Sequence, residues 1–507
     1  MFIREVKNRS GSISIQIISK RDGQYKVIKT MGCGVERHEI DRLKLLAKQE
    51  IEKLQKQTFL FLSSEDELVE RIFDTLQNSS IQTVGPELIF GKIYDYIGFN
   101  VIEEPLFRHL VISRLAFPLS KLKTSEYLVR YQGITLDINK IYRFLDKLNS
   151  QLKEQVEQIN FAYTQRILEG KISVVFYDMT TLYFEASDED DLRKAGFSKD
   201  GKHSNPQIFI GLLVGTGGYA IGYEIFEGNT YEGHTLIPFL EKIAEKFKLN
   251  KPVVVADSGL LSKKNIESLK ENGYEYIIGA RIKNENQTVQ QQILNNVYSN
   301  GDFYTIEKED KIRLIVHYSG KRAKKDAYNR KKGLMRLEKR IKSGKLTKSN
   351  INNKGYNKYL EMKGEVSIQI DYDKYEHDSV WDGLKGYITN SKLPENIIFE
   401  NYKNLWHIER AFRMSKTDLQ IRPIYHHLKH RIEAHICIAF TAYSVYKELE
   451  RALKEEKSTL SLKKASEITH NMYQITYQLP ESKNIKSKLL KMDDEQSELF
   501  EIIQKVF

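Results

Sequence analysis

The stretch ISVVFYDMTT, residues 172–181, decides the fold. Its first six residues form a nearly continuous apolar run with β-branched members, as a strand covered on both faces requires, and an acid, Asp178, follows directly. Forward from it, Gln207 to Val214 and Tyr219 to Phe226 flank the turn Gly215-Thr216-Gly217-Gly218 and read as a hairpin. Leu236, Phe239, Leu240, Ile243 and Phe247 recur at helical spacing and mark a core-facing helix. PVVVA, residues 252–256, is another buried strand, and it too runs into an acid, Asp257. Ser262 caps a short helix that stops at Asn272-Gly273, and Tyr274 to Ile278 resumes as a strand.

Strand, strand, strand, helix, strand, helix, strand is the order of a ribonuclease-H-like α/β core. In such a core the first and fourth strands lie side by side, which would bring Asp178 and Asp257 together although 79 positions separate them. Two ionised acids at one spot repel unless a cation lies between them, and oxygen donors without Cys or paired His select Mg²⁺ or Mn²⁺. The chemistry suggested is metal-assisted phosphoryl transfer. Taken singly, an Asp after a strand caps a turn or a helix, so a third acid matters. Tyr402, Leu405, Glu409 and Lys416 stand at i, i+3, i+7 and i+14 and share one side of a helix at ~100° per residue. Glu409 can then face the aspartates while Lys416 reaches toward a phosphate. The competing reading is a coincidental surface stripe flanked by Arg410 and Arg413.

Around this core, 507 residues with 29% charged and 40% hydrophobic exclude a disordered tail, a collagen-like repeat and a small disulfide scaffold. The length suits roughly three domains. Residues 1–37 alternate about Arg21-Asp22-Gly23-Gln24 as a β-hairpin, and residues 38–170 read as a mainly helical region that could bind end DNA. There, Lys121 to Gln132 ends at Gly133, and the next helix puts Ile138, Ile141, Tyr142, Leu145 and Leu148 on one face with Lys140, Arg143 and Lys147 on another. This is either a helix-turn-helix contact to DNA or an ordinary bundle with a solvated basic face. Residues 171–282 and 396–453 make the core, and residues 283–395 interrupt it as a β-rich insertion. Within the insertion, segment 321–348 holds 13 Lys or Arg and 2 acids, a net of +11 that equals the formal charge of the chain. It is either an arm that tracks a DNA backbone or a solvated helix face or loop. Residues 454–507 are expected to form a C-terminal helical tail.

Cys33 and Cys437 stand far apart with no CxxC, so a reducing compartment is expected. The amino terminus lacks an apolar signal core. The apolar-rich, uncharged stretch Ile208 to Tyr223 has 16 residues broken by five glycines, too short for a membrane span. A soluble cytoplasmic protein is expected, with no membrane partner.

The set Asp178, Asp257 and Glu409 on this strand order, with Tyr402 and Lys416 about the glutamate, resembles the DDE transposases of bacterial insertion sequences. Within them it resembles the insertion-sequence-four-like group with the signature Y-x2-R-x3-E-x6-K. Leu405 stands at the arginine position, which leaves that phosphate contact unassigned. YDMTTLYFE, ADSGLLS, WDGLKGYITN and IERAFRMSKTDLQIRPIYHHLKHRIEAHI extend the similarity from about 171 to 440. The resemblance implies a DNA transposase that binds inverted terminal repeats, cleaves element ends as an endonuclease and joins 3′ hydroxyls to target DNA. It also implies two Mg²⁺ or Mn²⁺ ions on the three acids, a homodimer in a synaptic complex on double-stranded DNA, and a bacterial, nucleoid-associated location.

In relatives that pass through a DNA hairpin, a tryptophan of the insertion stacks on a flipped base. Trp381 is the candidate here, with burial in a small core of its own as the competing and favoured reading. Lys416, Arg413 and Arg422 are candidates to hold flanking phosphates. His426, His427, His430 and His435 invite a zinc reading, but packing or phosphate hydrogen bonds are favoured. The alternatives are a ribonuclease-H-like nuclease or resolvase without strand joining, and a non-catalytic DNA-binding derivative. The intact acids weigh against the second.

Overall fold

The computed structural model describes all residues except 22, 56–63, 186–187, 197–204, 261, 345, 353–354 and 364–366. Asp22 of the expected turn, Leu261 of ADSGLLS and Lys345 of the basic segment therefore lie outside the described residues. Residues 1–144 with 448–507 form one unit, and residues 145–447 form another.

The first unit opens with three strands where a hairpin was expected. Phe2–Lys7 (β1), Ile13–Arg21 (β2) and Gln24–Gly34 (β3) pair antiparallel in the order β1-β2-β3. The expectation of a mainly helical N-terminal region is corrected accordingly: it begins with a small sheet. Arg4, Glu5 and Lys7 hide the alternation of β1 and suit a sheet edge, where charge deters further pairing. Ile15 and Ile17 of β2 are fully buried against Ile40 and Ala47 of Arg37–Gln55 (α1). Ser64–Asp74 (α2), Ile81–Thr83 (β4), Lys92–Ile97 (α3), Pro105–Ala116 (α4), Lys121–Gln132 (α5) and Ile138–Lys147 (α6) follow. Ser120 caps α5 by accepting from the Lys123 amide, and Gly133 ends it at φ 69°, a conformation that favours glycine. On α6, Ile141 and Phe144 are buried while Lys140, Arg143 and Lys147 are exposed.

The second unit carries Lys153–Ile167 (α7) and then the expected order. It runs Val174–Tyr183 (β5), Gln207–Val214 (β6), Ala220–Glu227 (β7), Leu236–Phe247 (α8), Val253–Ala256 (β8), Lys263–Glu271 (α9) and Tyr276–Ala280 (β9). β7, β6 and β5 pair antiparallel, and β5, β8 and β9 pair parallel. Because side chains alternate across a strand, Val175, Tyr177 and Met179 share one face of β5. They pack with Phe239, Leu240 and Ile243 of α8 in a single buried cluster. Phe176, Asp178 and Thr180 belong to the other face.

The insertion extends this sheet. Gln287–Asn295 (α10), Phe303–Glu307 (β10), Arg313–Tyr318 (β11), Gly320–Lys342 (α11), Leu360–Lys363 (β12), Ser367–Ile370 (β13), Tyr372–His377 (α12) and Leu384–Thr389 (β14) occur in turn. β14 pairs antiparallel with β9 and carries β11 and β10 outward, giving eight strands in the order β10-β11-β14-β9-β8-β5-β6-β7. The basic segment is mostly α11, 23 residues long. Its Leu334, Leu337 and Ile341 pack with Tyr359, Leu360 and Ile370, while Lys324, Lys325, Lys331, Lys332 and Lys339 are exposed.

Trp381, a base-stacking candidate for which burial was the favoured reading, sits in an apolar cluster of the insertion. It is 6% exposed and packs with Ile282, Ile293, Leu314, Val316 and Leu384.

Glu395–Lys403 (α13), Trp406–Thr417 (α14) and Lys429–Glu455 (α15) follow the insertion. The first unit then resumes with Leu462–Thr469 (α16), Tyr473–Gln478 (β15), Ile485–Leu489 (β16) and Asp494–Val506 (α17). The segment expected as a helical tail thus contains a hairpin, and β15 of that hairpin pairs with β4. No described helix is long and apolar enough to cross a membrane.

Removing the indole of Trp381 should act on stability. Trp381→Ala is expected to cost about 3–5 kcal/mol, seen as a lowered thermal unfolding temperature, with Trp381→Phe recovering much of it. A stability unchanged in Trp381→Ala, together with weakened DNA binding, would restore the stacking role.

Candidate active site

The site begins with a register. β5 and β8 pair in parallel from Val174–Val253 to Tyr177–Ala256, and the residue after each last partner is an aspartate. Asp257 leaves β8 at its end, as expected. Asp178 does not leave its strand: β5 continues to Tyr183, and Asp178 pairs with Leu212 of β6. The parallel ladder ends where expected, although β5 does not. Strands so paired lie about 4.8 Å apart, which makes the two aspartates lateral neighbours. One oxygen of each accepts from nearby backbone, Asp178 Oδ1 from the Met179 amide and Asp257 Oδ1 from the Gly259 amide, both at 2.7 Å.

α14 packs on β5 and β6. The ring of His407 lies 6.3 Å from Phe176, and Phe412 lines a small cavity with Thr180 and Leu182. Both contacts fall on the face of β5 that carries Asp178, so Glu409, between His407 and Phe412, lies along α14 over the same part of the strand. Glu409 is exposed.

Tyr402 joins the acids from another direction. Its hydroxyl rests over Gly279 of β9, where a Cβ would collide with it, and that Cβ would lie 3.3 Å from the Ser258 amide. Burial first, then the charges of Asp257 and Glu409, push this hydroxyl up to about 12. One group therefore senses both acids.

The signature residues do not share one helix. α13 ends at Lys403 and α14 begins at Trp406, with Asn404 and Leu405 between them. Asparagine competes for backbone hydrogen bonds and suits such a break. Leu405, at the arginine position, is 6% exposed and offers no cation. Lys416 keeps the face of Glu409 on α14 and lines the apolar cavity with Thr180, Leu182 and Ile210.

Arg413 is exposed on α14, and the Arg422 guanidinium lies 5.0 Å above the Tyr183 ring. Lys140, Arg143 and Lys147 belong to α6, outside the elements that build this site. His435 and His426 are buried with rings 5.6 Å apart, and His435 Nε2 lies 2.9 Å from the Ile421 carbonyl. His427 meets Arg193 at 3.1 Å, and His430 meets Asp146 at 2.9 Å.

Sequence reasoning did not single out Lys385, and it took Arg322 only as part of the basic segment 321–348. Lys385 stands in β14, with its ammonium 4.4 Å above the Tyr402 ring and 5.8 Å above that of Tyr387. Burial and the neighbouring Arg322 push it down, and Glu409 opposes that shift. The available signal was a lysine within the otherwise apolar strand LKGYIT, whose function no packing pattern requires.

The donor set fits a hard divalent cation: three carboxylates, with no thiolate among them. Among the described residues, no three His, Cys, Asp or Glu side chains are gathered closely enough to hold an ion, so the acids border one region without closing on a point.

A family described as "Transposase DDE domain" matches residues 169–445. No curated protein matches the chain. One similar solved structure is "Cryo-EM structure of piggyBac transposase synaptic complex with hairpin DNA (SNHP)", with 9% identity, a TM-score of 0.38, and coverage of 76% of this chain and 78% of that one. Another is "Mos1 transposase paired-end complex with left transposon end", with 11% identity, a TM-score of 0.16, and coverage of 31% and 53%.

The seat of Tyr402 over Gly279 can be tested without DNA. Gly279→Ala should destabilise the protein by about 1–3 kcal/mol through overpacking, and adding Tyr402→Phe should recover part of that loss. Additive effects in a double-mutant cycle of thermal or denaturant unfolding would show that the two residues do not touch.

Proposed function

Because the chain belongs to the transposase DDE domain family and is therefore a phosphoryl-transfer transposase, we propose that Asp178, Asp257 and Glu409 are its catalytic triad on a ribonuclease-H-like core. In this reading the protein binds the inverted terminal repeats of a bacterial insertion sequence of the Y-x2-R-x3-E-x6-K group. It cleaves the element ends and joins their 3′ hydroxyls to target DNA, working as a homodimer in a cytoplasmic, nucleoid-associated synaptic complex. The observation that carries the assignment is the end of the β5–β8 ladder at Tyr177–Ala256. It is supported by Tyr402, whose hydroxyl senses Asp257 and Glu409 together.

Asp178, Asp257 and Glu409 would hold two Mg²⁺ or Mn²⁺ ions, which when bound supply an activated water or 3′ hydroxyl and steady the leaving oxygen. Three ionised carboxylates carry −3, so the acids alone repel a phosphodiester and the site gains affinity for DNA only with its cations. Tyr402, buried and neutral, keeps its hydroxyl proton and is a positioning residue between two of the acids. Glu409 rides on α14, so small movements of that helix set how far the third carboxylate reaches toward the aspartates.

The DNA would be held mainly by charge. α11 has 23 residues and is about 34 Å long at 1.5 Å per residue, close to one turn of duplex DNA. Its exposed lysines present a row of cations along that length. Arg413, Arg422 and Lys416 would contact phosphates nearer the acids, and Lys140, Arg143 and Lys147 would serve the end repeat from α6. Such contacts orient DNA without reading its sequence.

Asp178→Ala, Asp257→Ala or Glu409→Ala should each reduce Mg²⁺-dependent cleavage of element-end DNA by more than the roughly 10–100-fold that follows from losing a residue behind a metal ligand. Retained cleavage in any of the three removes that acid from the site. Replacing Lys324, Lys325, Lys331 and Lys332 by Gln should flatten the plot of log binding constant against log salt by up to about 0.9 per lost phosphate contact. An unchanged slope would return α11 to a solvated helix face.

A further inference from the structure

The arginine missing at position 405 leaves an open question: which cation holds the phosphate next to the reacting one. A cavity of about 380 Å³ beside the acids is lined by Ser258, Arg281, Lys283, Arg322, Lys385 and Tyr402, among others. Four of its lining residues are cations, and none is an acid. Ser258 directly follows Asp257, and the Arg281 guanidinium donates to the Ser258 carbonyl at 2.9 Å, so the cavity wall is continuous with the chain that carries the second aspartate. Tyr402 lines the cavity too, with its hydroxyl over Gly279 near the Ser258 amide.

Lys385 is the least expected member. It is largely withdrawn from solvent on β14, over the rings of Tyr402 and Tyr387, and makes no ion pair among the described residues. A cation in that setting costs free energy unless an anion meets it. The other three are already oriented. Arg322 stands in the first turn of α11, 3.4 Å from Asp326, Lys283 lies 2.7 Å from Asp378, and Arg281 is held by the Ser258 carbonyl. These contacts leave a planar guanidinium and an ammonium facing one space, a combination suited to phosphate oxygens.

We propose that Lys385 and Arg322, with Arg281 and Lys283 at the rim, form a pocket for one DNA backbone phosphate adjacent to the scissile one, in place of the signature arginine that Leu405 replaces. The proposal rests on the phosphoryl-transfer assignment of Asp178, Asp257 and Glu409, and it names how that site holds its substrate. It also gives the basic helix a starting point. Arg322 belongs to the pocket, and the exposed lysines of α11 continue from it, so a duplex anchored at the pocket would run along that helix.

The test uses the full chain and a duplex taken from the DNA bordering its coding sequence, with single phosphates near the cleavage point replaced one at a time by uncharged methylphosphonates. The unmodified protein should lose roughly tenfold or more in Mg²⁺-dependent cleavage at one position, the scale of one charge-assisted contact. Lys385→Gln and Arg322→Gln should cleave the ordinary duplex slowly and lose their sensitivity at that same position, while Lys385→Arg restores it. A lysine that only packs on Tyr402 would leave the profile of Lys385→Gln like that of the unmodified protein, and this overturns the proposal. If Lys385→Gln fails to fold, Arg322→Gln, altered at an exposed side chain, decides by the same criterion. Glu409→Gln separates this proposal from the one beneath it. Cleavage by that variant overturns the catalytic assignment, whereas an inactive Glu409→Gln beside unaltered methylphosphonate profiles overturns the phosphate pocket alone.

Discussion

The parallel pairing of β5 with β8 is the constraint from which the site follows. Val175, Phe176 and Tyr177 on one strand and Val254, Val255 and Ala256 on the other are fully buried. Side chains alternate across each strand, so a slip of one residue would turn every core side chain to the wrong face. The register is therefore set by hydrophobic burial, and the aspartates are carried to the end of the ladder by residues that have no part in the chemistry. Two like charges gain nothing from being neighbours. Their proximity is imposed by the core, which lets a folded chain keep an unfavourable electrostatic arrangement in place.

The core strands and both aspartates were legible in the sequence because ISVVFY and PVVVA are apolar runs that end in an acid. Their parallel pairing came from strand order alone. The length of β5 was not legible, since Asp178 lies in mid-strand and the residues after it are ordinary strand formers. Periodicity placed Tyr402 and Glu409 on one helix, but a 3.6-residue period survives a short break, and the interruption at Asn404 and Leu405 leaves almost no mark on it. Neither could periodicity show that β10, β11 and β14 extend the main sheet, because pairing partners distant in sequence carry no local signal. For Trp381 the sequence left base stacking and burial both open, with burial favoured. Its environment depends on Ile282, Ile293 and Leu384, which only the fold assembles.

Charge in the second unit is arranged by sign. Asp178, Asp257 and Glu409 border one region from β5, the end of β8 and α14, and Lys385 of β14, Arg322 of α11 and Arg281 and Lys283 after β9 line a cavity with Ser258 and Tyr402. α11 is amphipathic in an unusual sense. One face holds a small apolar core with the paired strands β12 and β13, and most of the exposed residues on the other are Lys or Arg. Packing thus explains why the segment is a helix, and it leaves the charge of its outer face without a structural purpose. A polyanion aligned with the helix would give that charge one, and it would offset the self-repulsion of so many lysines on one surface.

The claim at the centre of this account is that three acids from separate elements serve one pair of divalent ions. The most direct measurement replaces Mg²⁺ by Fe²⁺ in the DNA-bound protein and generates hydroxyl radicals with ascorbate and peroxide, so that the polypeptide is cut beside the bound metal. The account predicts cuts near residues 178, 257 and 409 together, all three disappearing in Asp178→Asn. Cutting confined to one of these places, or located elsewhere in the chain, would contradict it.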